Sequence, residues 1–414
     1  MNIYQESILP NGLKIITSEN PNSEIAAISV WIKVGSRNEK EDEFGYAHIL
    51  EHLLSKGTKK YPSAFELSAA KDRCGALSNA ITGPERIYAF IQSAKNHSEK
   101  MFELLADMIL NPLLDAEILE NEKQVIIQEL YRARENYSKL LWIESMSKVF
   151  EGHPLAHPVL GTEATIISAT SEKLREFHRN FFRPDNAAVI VTGGLAHQAV
   201  VELVKKFFSN WGQEIVITGD SPLPQIKPGF IFEKSPTKQT YLAFNYSGRK
   251  ITMEKSLAFN ILENYLSYGQ SAFLLQELRH KRGLVYHISA SNILFRDANL
   301  FRLETSTTKP KESSAVILDI MDNFEKYFNE KIFHTLKEQT LSVFLREMSD
   351  SLKELNFLGN GWRLYERLIS PSEIINKYSD VSYGDIAAIK NSHLSKNNLL
   401  VAAIGETSFE LDLA

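Results

Sequence analysis

One pattern occurs twice in the chain, at Asn186-Ala187-Ala188-Val189-Ile190-Val191-Thr192-Gly193 and at Asn398-Leu399-Leu400-Val401-Ala402-Ala403-Ile404-Gly405. Each copy is an asparagine, an apolar run of the length of one buried strand, and a closing glycine. The copies are 212 positions apart (398 − 186). The same displacement carries His48-Ile49-Leu50-Glu51-His52 onto Asn260-Ile261-Leu262-Glu263-Asn264, where three of five letters agree and both histidines have become asparagine. Gly12-Leu13-Lys14-Ile15 and Gly229-Phe230-Ile231-Phe232 obey the scheme within a few residues of shift. Repetition at one fixed displacement implies an internal duplication, so the fold must consist of two similar α/β halves.

The 414 residues suit such a division. The stretch 217–228 is rich in Pro, Gly and polar residues and reads as the linker, leaving halves at 1–216 and 229–414. Ala26 to Val34 reads as a largely buried strand. Ser63-Ala64-Phe65-Glu66 has capping-box spacing and opens a helix reaching toward Gly75. From Asp115 to about Phe150 the period is helical, with a break near Asn136.

Composition excludes several classes of function. A net charge of −5 does not support a nucleic-acid or anionic-membrane binder. No run approaches the ~18–20 apolar residues that span a bilayer. The N-terminal residues lack the basic and apolar pattern of a signal peptide. Cys74 is the single cysteine, which rules out an intrachain disulfide and fits a reducing compartment; the expected location is the cytoplasm.

His48 and His52 stand four apart, so on a helix their rings project from one face, one turn apart. Two imidazoles at that spacing share a metal ion. Glu51 lies on a nearby azimuth, where it reaches a water on the metal without being a ligand, and can take that water's proton. The competing reading is two exposed histidines on an acidic helix. A catalytic zinc site has a third protein ligand and an open position. On the helix after Asp115, Val125, Ile126 and Leu130 mark the expected buried stripe. Glu129 lies four residues after Val125 and three after Ile126, and Glu122 lies seven residues earlier on the same stripe. A carboxylate on an apolar face needs a cation or a metal. Glu129 is therefore the expected third ligand, and Glu122 either supports a ligand histidine or serves as an alternate ligand.

With these residues assembled, the chain resembles the pitrilysin/insulinase family of zinc peptidases, in the half-size bacterial form similar to mitochondrial processing peptidase. The likeness rests on Asn11-Gly12-Leu13, Gly45-Tyr46-Ala47-His48-Ile49-Leu50-Glu51-His52-Leu53, Lys56-Gly57-Thr58, Asn79-Ala80-Ile81-Thr82, Glu122 with Glu129, and His153-Pro154 with Gly161-Thr162. The family's spacing from the second histidine to its ligand glutamate is also met by Glu129. The resemblance implies an α+β fold of two related halves, each a mainly antiparallel sheet packed with helices, and a clam-shell dimer around a chamber. The replacement of both histidines at Asn260 and Asn264 implies one Zn2+ per chain, held in the first half. The resemblance further implies that Arg279 and Tyr286, in the second half, steady the oxyanion, and that Asn79 and Ala80 lie on the edge strand to which an extended peptide adds. The segment Tyr265-Leu266-Ser267-Tyr268-Gly269-Gln270-Ser271 has one glycine where the family often has a glycine-rich run.

The expected function is a zinc endopeptidase acting on unfolded peptides or leader sequences. A chain carrying both the zinc motif and the Arg/Tyr pair is expected to work as a homodimer; a heterodimer with a related chain is the variant of that reading. The alternative from another class is a catalytically silent structural or partner subunit.

Overall fold

The computed structural model describes residues 2–212, 223–225, 227–411 and 413. The expected linker at 217–228 falls largely outside the described residues. The first sheet comprises β1 (Ile3–Ile8), β2 (Lys14–Glu19), β3 (Ile25–Ile32), β4 (Leu77–Thr82), β5 (Ile87–Ala94) and β6 (Ala187–Gly193), in the order β1-β2-β6-β3-β5-β4. The second comprises β7 (Gly229–Lys234), β8 (Thr240–Arg249), β9 (Ile288–Leu294), β10 (Ala298–Thr307) and β11 (Leu399–Gly405), in the order β7-β11-β8-β10-β9.

With β1 set aside, the two orders superimpose strand for strand. β2 pairs parallel with β6, and β7 parallel with β11; every other pairing is antiparallel. The repeated apolar run forms β6 and β11, each second from one side of its repeat and wholly buried. Strands covered on both faces carry continuous apolar runs rather than alternation, which is why these two segments stand out in the sequence. The mixed α/β architecture is thus the two related halves that the duplication implied, with the mainly antiparallel sheets that the resemblance implied.

Successive residues of β3 sort by face, as a pleated strand requires. Ile28, Val30 and Ile32 join the core beneath the helices Tyr46–Leu53 and Ser98–Leu110. Ala27 and Trp31 face the other way, against Leu355, Leu358 and Trp362 of the helix Ser351–Tyr365. Trp31 stacks on Tyr88 with ring centroids 4.1 Å apart and donates its indole N–H to Ser29 Oγ at 3.0 Å.

The chain forms two compact units, each taking a segment from the other half of the sequence. One unit is Met1–Tyr131, His157–Asp220 and Arg346–Ser370; the other is Arg132–Ala156, Ser221–Leu345 and Pro371–Ala414. In the second unit the helix Tyr137–Val149 packs through Leu141 and Met146 on Leu300, Leu400 and Ala402 of the sheet. The break near Asn136 is real: Asn136 caps that helix by accepting from Lys139 N at 3.1 Å. Ser63 likewise caps Ala64–Asp72 as its spacing implied, accepting from Glu66 N at 3.2 Å.

Candidate metal centre

The sequence His48-Ile49-Leu50-Glu51-His52 lies within the helix Tyr46–Leu53. Tyr46, Ile49, Leu50 and Leu53 are buried and fix the helix on the first core, while Glu51 and His52 are half-buried at its rim. The helix starts at Gly45, whose φ of 94° is a left-handed conformation that favours glycine. A Cβ there would also lie 2.9 Å from the Cα of Gly161. Gly161 in turn has φ 74°, and a Cβ on it would lie 2.5 Å from the Phe44 carbonyl oxygen. Thr165 Oγ1 donates to the same carbonyl at 2.6 Å. Gly161→Ala is therefore expected to destabilise the protein by about 3 kcal/mol or more, through left-handed backbone strain and a backbone clash together. Urea unfolding monitored by circular dichroism checks this, and an unchanged midpoint would contradict it.

The expected third ligand, Glu129, lies on the helix Ala116–Glu135. Its buried line runs through Leu119, Glu122, Ile126, Leu130 and Ala133. Val125 was expected on that line but is 46% exposed. At about 100° per residue it stands to one side of Ile126, and Glu129 falls between the two. Glu129 accordingly occupies the rim of the helix rather than its apolar face, with its side chain 37% exposed. Glu122 is buried, and Glu120 points away to pair with Lys123 Nζ at 2.6 Å.

The two helices bring His48, His52 and Glu129 together, each offering a ligand atom within 4.8 Å of the others. Glu129 Oε2 is 3.7 Å from His48 Nε2 and 3.5 Å from His52 Nε2. Donors about 2.0–2.2 Å from a tetrahedral zinc stand roughly 3.3–3.6 Å from one another, so the set fits that ion with a fourth position left over. Burial, with His52 adding to it, pushes the His48 imidazole down to about 4, while Glu129 acts the other way. His48 is thus neutral at ordinary pH, as a metal ligand must be. Burial also disfavours a charged His52, but hydrogen bonds to Glu129 and Glu122 outweigh it and hold that imidazole above its usual value.

Glu122 Oε2 is 3.1 Å from His52 Nδ1, and its other oxygen is 2.7 Å from Lys56 Nζ. A carboxylate on Nδ1 fixes the tautomer that leaves Nε2 free to ligate. Glu51 is not in the ligand cluster. Thr82 Oγ1, at the end of β4, donates to Glu51 Oε2 at 3.1 Å. Burial pushes the Glu51 carboxyl up to about 6, with His52 and the Thr82 donors pulling it back.

Asn79 and Ala80 lie in β4, at the outer edge of the first sheet and paired on the inner side with Phe90 and Ala89. Arg279 and Tyr286 belong to the second unit, where the guanidinium carbon of Arg279 sits 4.5 Å from the Tyr286 ring centroid and Tyr286 is 73% exposed. The second-half counterparts of the histidines have become helix-to-helix hydrogen bonds. Asn264 Nδ2 donates to Thr340 Oγ1 at 2.8 Å and Asn260 Nδ2 to Tyr378 OH at 3.3 Å. Sequence reading assigned no role to Glu39, Lys56 or Thr82. The last two lie inside motifs that the resemblance quoted, which is the signal that could have found them.

Known proteins resemble the chain throughout. A family model described as "Insulinase (Peptidase family M16)" matches residues 14–163, and one described as "Peptidase M16 inactive domain" matches residues 168–340. An uncharacterized zinc protease of Rickettsia felis is 28% identical over 95% of this chain and 95% of its own. The uncharacterized zinc protease YmxG of Bacillus subtilis is 25% identical over 90% of this chain and 91% of its own. The crystal structure of a protease from Helicobacter pylori shares the fold, with a TM-score of 0.89 at 21% identity over 98% of this chain and 99% of that one. Two adjoining family matches, a doubled sheet topology and an inverted zinc motif beside its glutamate agree, and the chain belongs to the pitrilysin/insulinase family, M16, in its half-size form.

Proposed function

We propose that the chain is a zinc-dependent endopeptidase that cleaves unfolded peptides or leader sequences, with one Zn2+ held by His48, His52 and Glu129. The observation that carries this reading is the spacing of those three donors, 3.5 and 3.7 Å about Glu129 Oε2, with Glu51 beside them and outside the set. A zinc ion held by these residues would supply Lewis acidity, lowering the pKa of a water and polarising the substrate carbonyl. Glu51, oriented by Thr82, takes the proton at its carboxylate and passes it to the leaving amine. Glu122, tied to Lys56, holds the His52 ring. The substrate adds as a strand along Asn79 and Ala80, so main-chain pairing supplies affinity that tolerates sequence. Arg279 and Tyr286 supply a cation and a phenol donor to the oxyanion, a role that rests on the family resemblance. The same reading places the protein in the cytoplasm as a homodimer. Among the described residues no helix is long and apolar enough to cross a membrane.

The test is incubation of the purified protein with a mixed peptide library, with and without chelator, and mass spectrometry of the products. Internal cleavage that stops with chelator is expected. No cleavage in either arm would favour the silent-subunit reading. Arg279→Ala is expected to lower kcat by ~10²–10³-fold, the range for loss of one oxyanion donor, with KM little changed. A change confined to KM would remove Arg279 from that role.

A further inference from the structure

His48 and His52 are aimed by different means. The His52 ring is held directly, through Nδ1 on Glu122. His48 Nδ1 is buried without a hydrogen-bond partner among the described residues. Its ring therefore takes its place from the backbone of the first helical turn, of which His48 is the third residue. An eight-residue helix does not fix its own first turn, because so short a helix has little stability by itself. A side-chain cap at the usual position is also closed off, since Gly45 must be glycine and makes none.

The missing cap is supplied from six and eight residues upstream. Glu39 Oε2 accepts from Gly45 N at 2.8 Å and Glu39 Oε1 accepts from Ala47 N at 2.7 Å. Glu39 is only 3% exposed, so its carboxyl is committed to these two amides at the positive end of the helix. Ala47 is the residue directly before His48.

We propose that Glu39 is a positioning residue for the metal centre, setting the first turn of the motif helix and through it the place of His48 relative to His52 and Glu129. This rests on the zinc-peptidase reading of the site. Two diverging N–H groups need two acceptors at a fixed span. Glutamine offers one acceptor and turns an NH2 toward the other amide, and aspartate falls a methylene short.

The test compares zinc affinity, by competition with a chromophoric chelator, in the full-length wild type, Glu39→Gln, Glu39→Asp and Thr165→Val. All are measured well below their thermal midpoints. Thr165→Val is the control, since it removes a different bond at the same helix start, the one to the Phe44 carbonyl. Glu39→Gln is expected to bind zinc ~10–100-fold more weakly, the usual cost of removing a group that orients a metal ligand. Its KM for peptide should stay within about twofold, because the Glu39 carboxyl bonds to Gly45 N and Ala47 N rather than to the substrate-binding strand. Glu39→Asp should fall between it and the wild type, and serves as the test if the Gln variant does not fold. Thr165→Val should lose thermal stability and keep its zinc affinity. Wild-type affinity in folded Glu39→Gln or Glu39→Asp would overturn the proposal and leave the zinc reading standing. A wild type that binds no zinc would instead remove the reading beneath it.

Discussion

Glu51→Gln is expected to lower kcat/KM for peptide hydrolysis by ~10²–10⁴-fold, the usual share of general acid–base catalysis, while zinc stays bound at wild-type level. The two outcomes separate because Glu51 lies outside the three-donor cluster. An amide of the same shape still accepts from Thr82 Oγ1, so the side chain keeps its orientation and the fold is undisturbed. What the amide lacks is the capacity to take a proton and return it. Glu51 is half-buried, and the burial that pushes its carboxyl up to about 6 also strengthens it as a base relative to an exposed glutamate. The measurement is steady-state hydrolysis of a cleaved library peptide together with elemental analysis of the same preparation. Full activity in the variant would remove Glu51 from the mechanism. Zinc loss together with activity would make it a ligand instead.

The readable parts of this molecule are those written in local periodicity. Asn136 announced a helix boundary because its side chain caps the following helix better than it continues the preceding one. The two apolar runs announced β6 and β11 because strands covered on both faces carry few polar residues. The histidine pair was legible because two imidazoles one helical turn apart converge on a single point, with a glutamate next to them on the same side. The structure does bring Glu129 within reach of both histidines, yet one of the reference points used to choose it fails. Val125 is apolar but lies on the solvent side of the rim, and sequence alone does not say which side of an amphipathic helix has the wider apolar arc.

What stayed hidden depends on contacts distant in sequence. Glu39 caps a helix that starts six residues later, in place of an N-cap that Gly45 does not supply, and no short pattern encodes a cap supplied from there. The exchange of the helices Tyr137–Val149 and Ser351–Tyr365 between the compact units is also invisible in a linear reading. Ser351–Tyr365 is an ordinary amphipathic helix and Tyr137–Val149 only a weakly amphipathic one, and nothing local says which sheet either covers.

His48→Ala is expected to abolish both zinc retention and hydrolysis, and the wild type should hold one zinc per chain. The three candidate donors divide between two helices, so a bound ion would join the motif helix to the helix Ala116–Glu135, and removing one donor would leave two where a catalytic zinc site uses three. His48 is the donor whose loss is least compensated: it is buried, and Glu129 is the carboxylate beside its Nε2, at 3.7 Å. The count of one follows from the second half, where Asn264 and Asn260 are engaged with Thr340 and Tyr378 and neither presents an imidazole. Because metal binding to the folded state adds to stability, chelation should lower the thermal midpoint of the wild type. His48→Ala, having no zinc to lose, should melt at a temperature that chelator does not alter. Inductively coupled plasma mass spectrometry gives the count, and thermal unfolding with and without chelator gives the coupling. Two zinc ions per chain would mean that the second half retains a site of its own, and a wild-type midpoint indifferent to chelator would mean that the helices are held together without the ion.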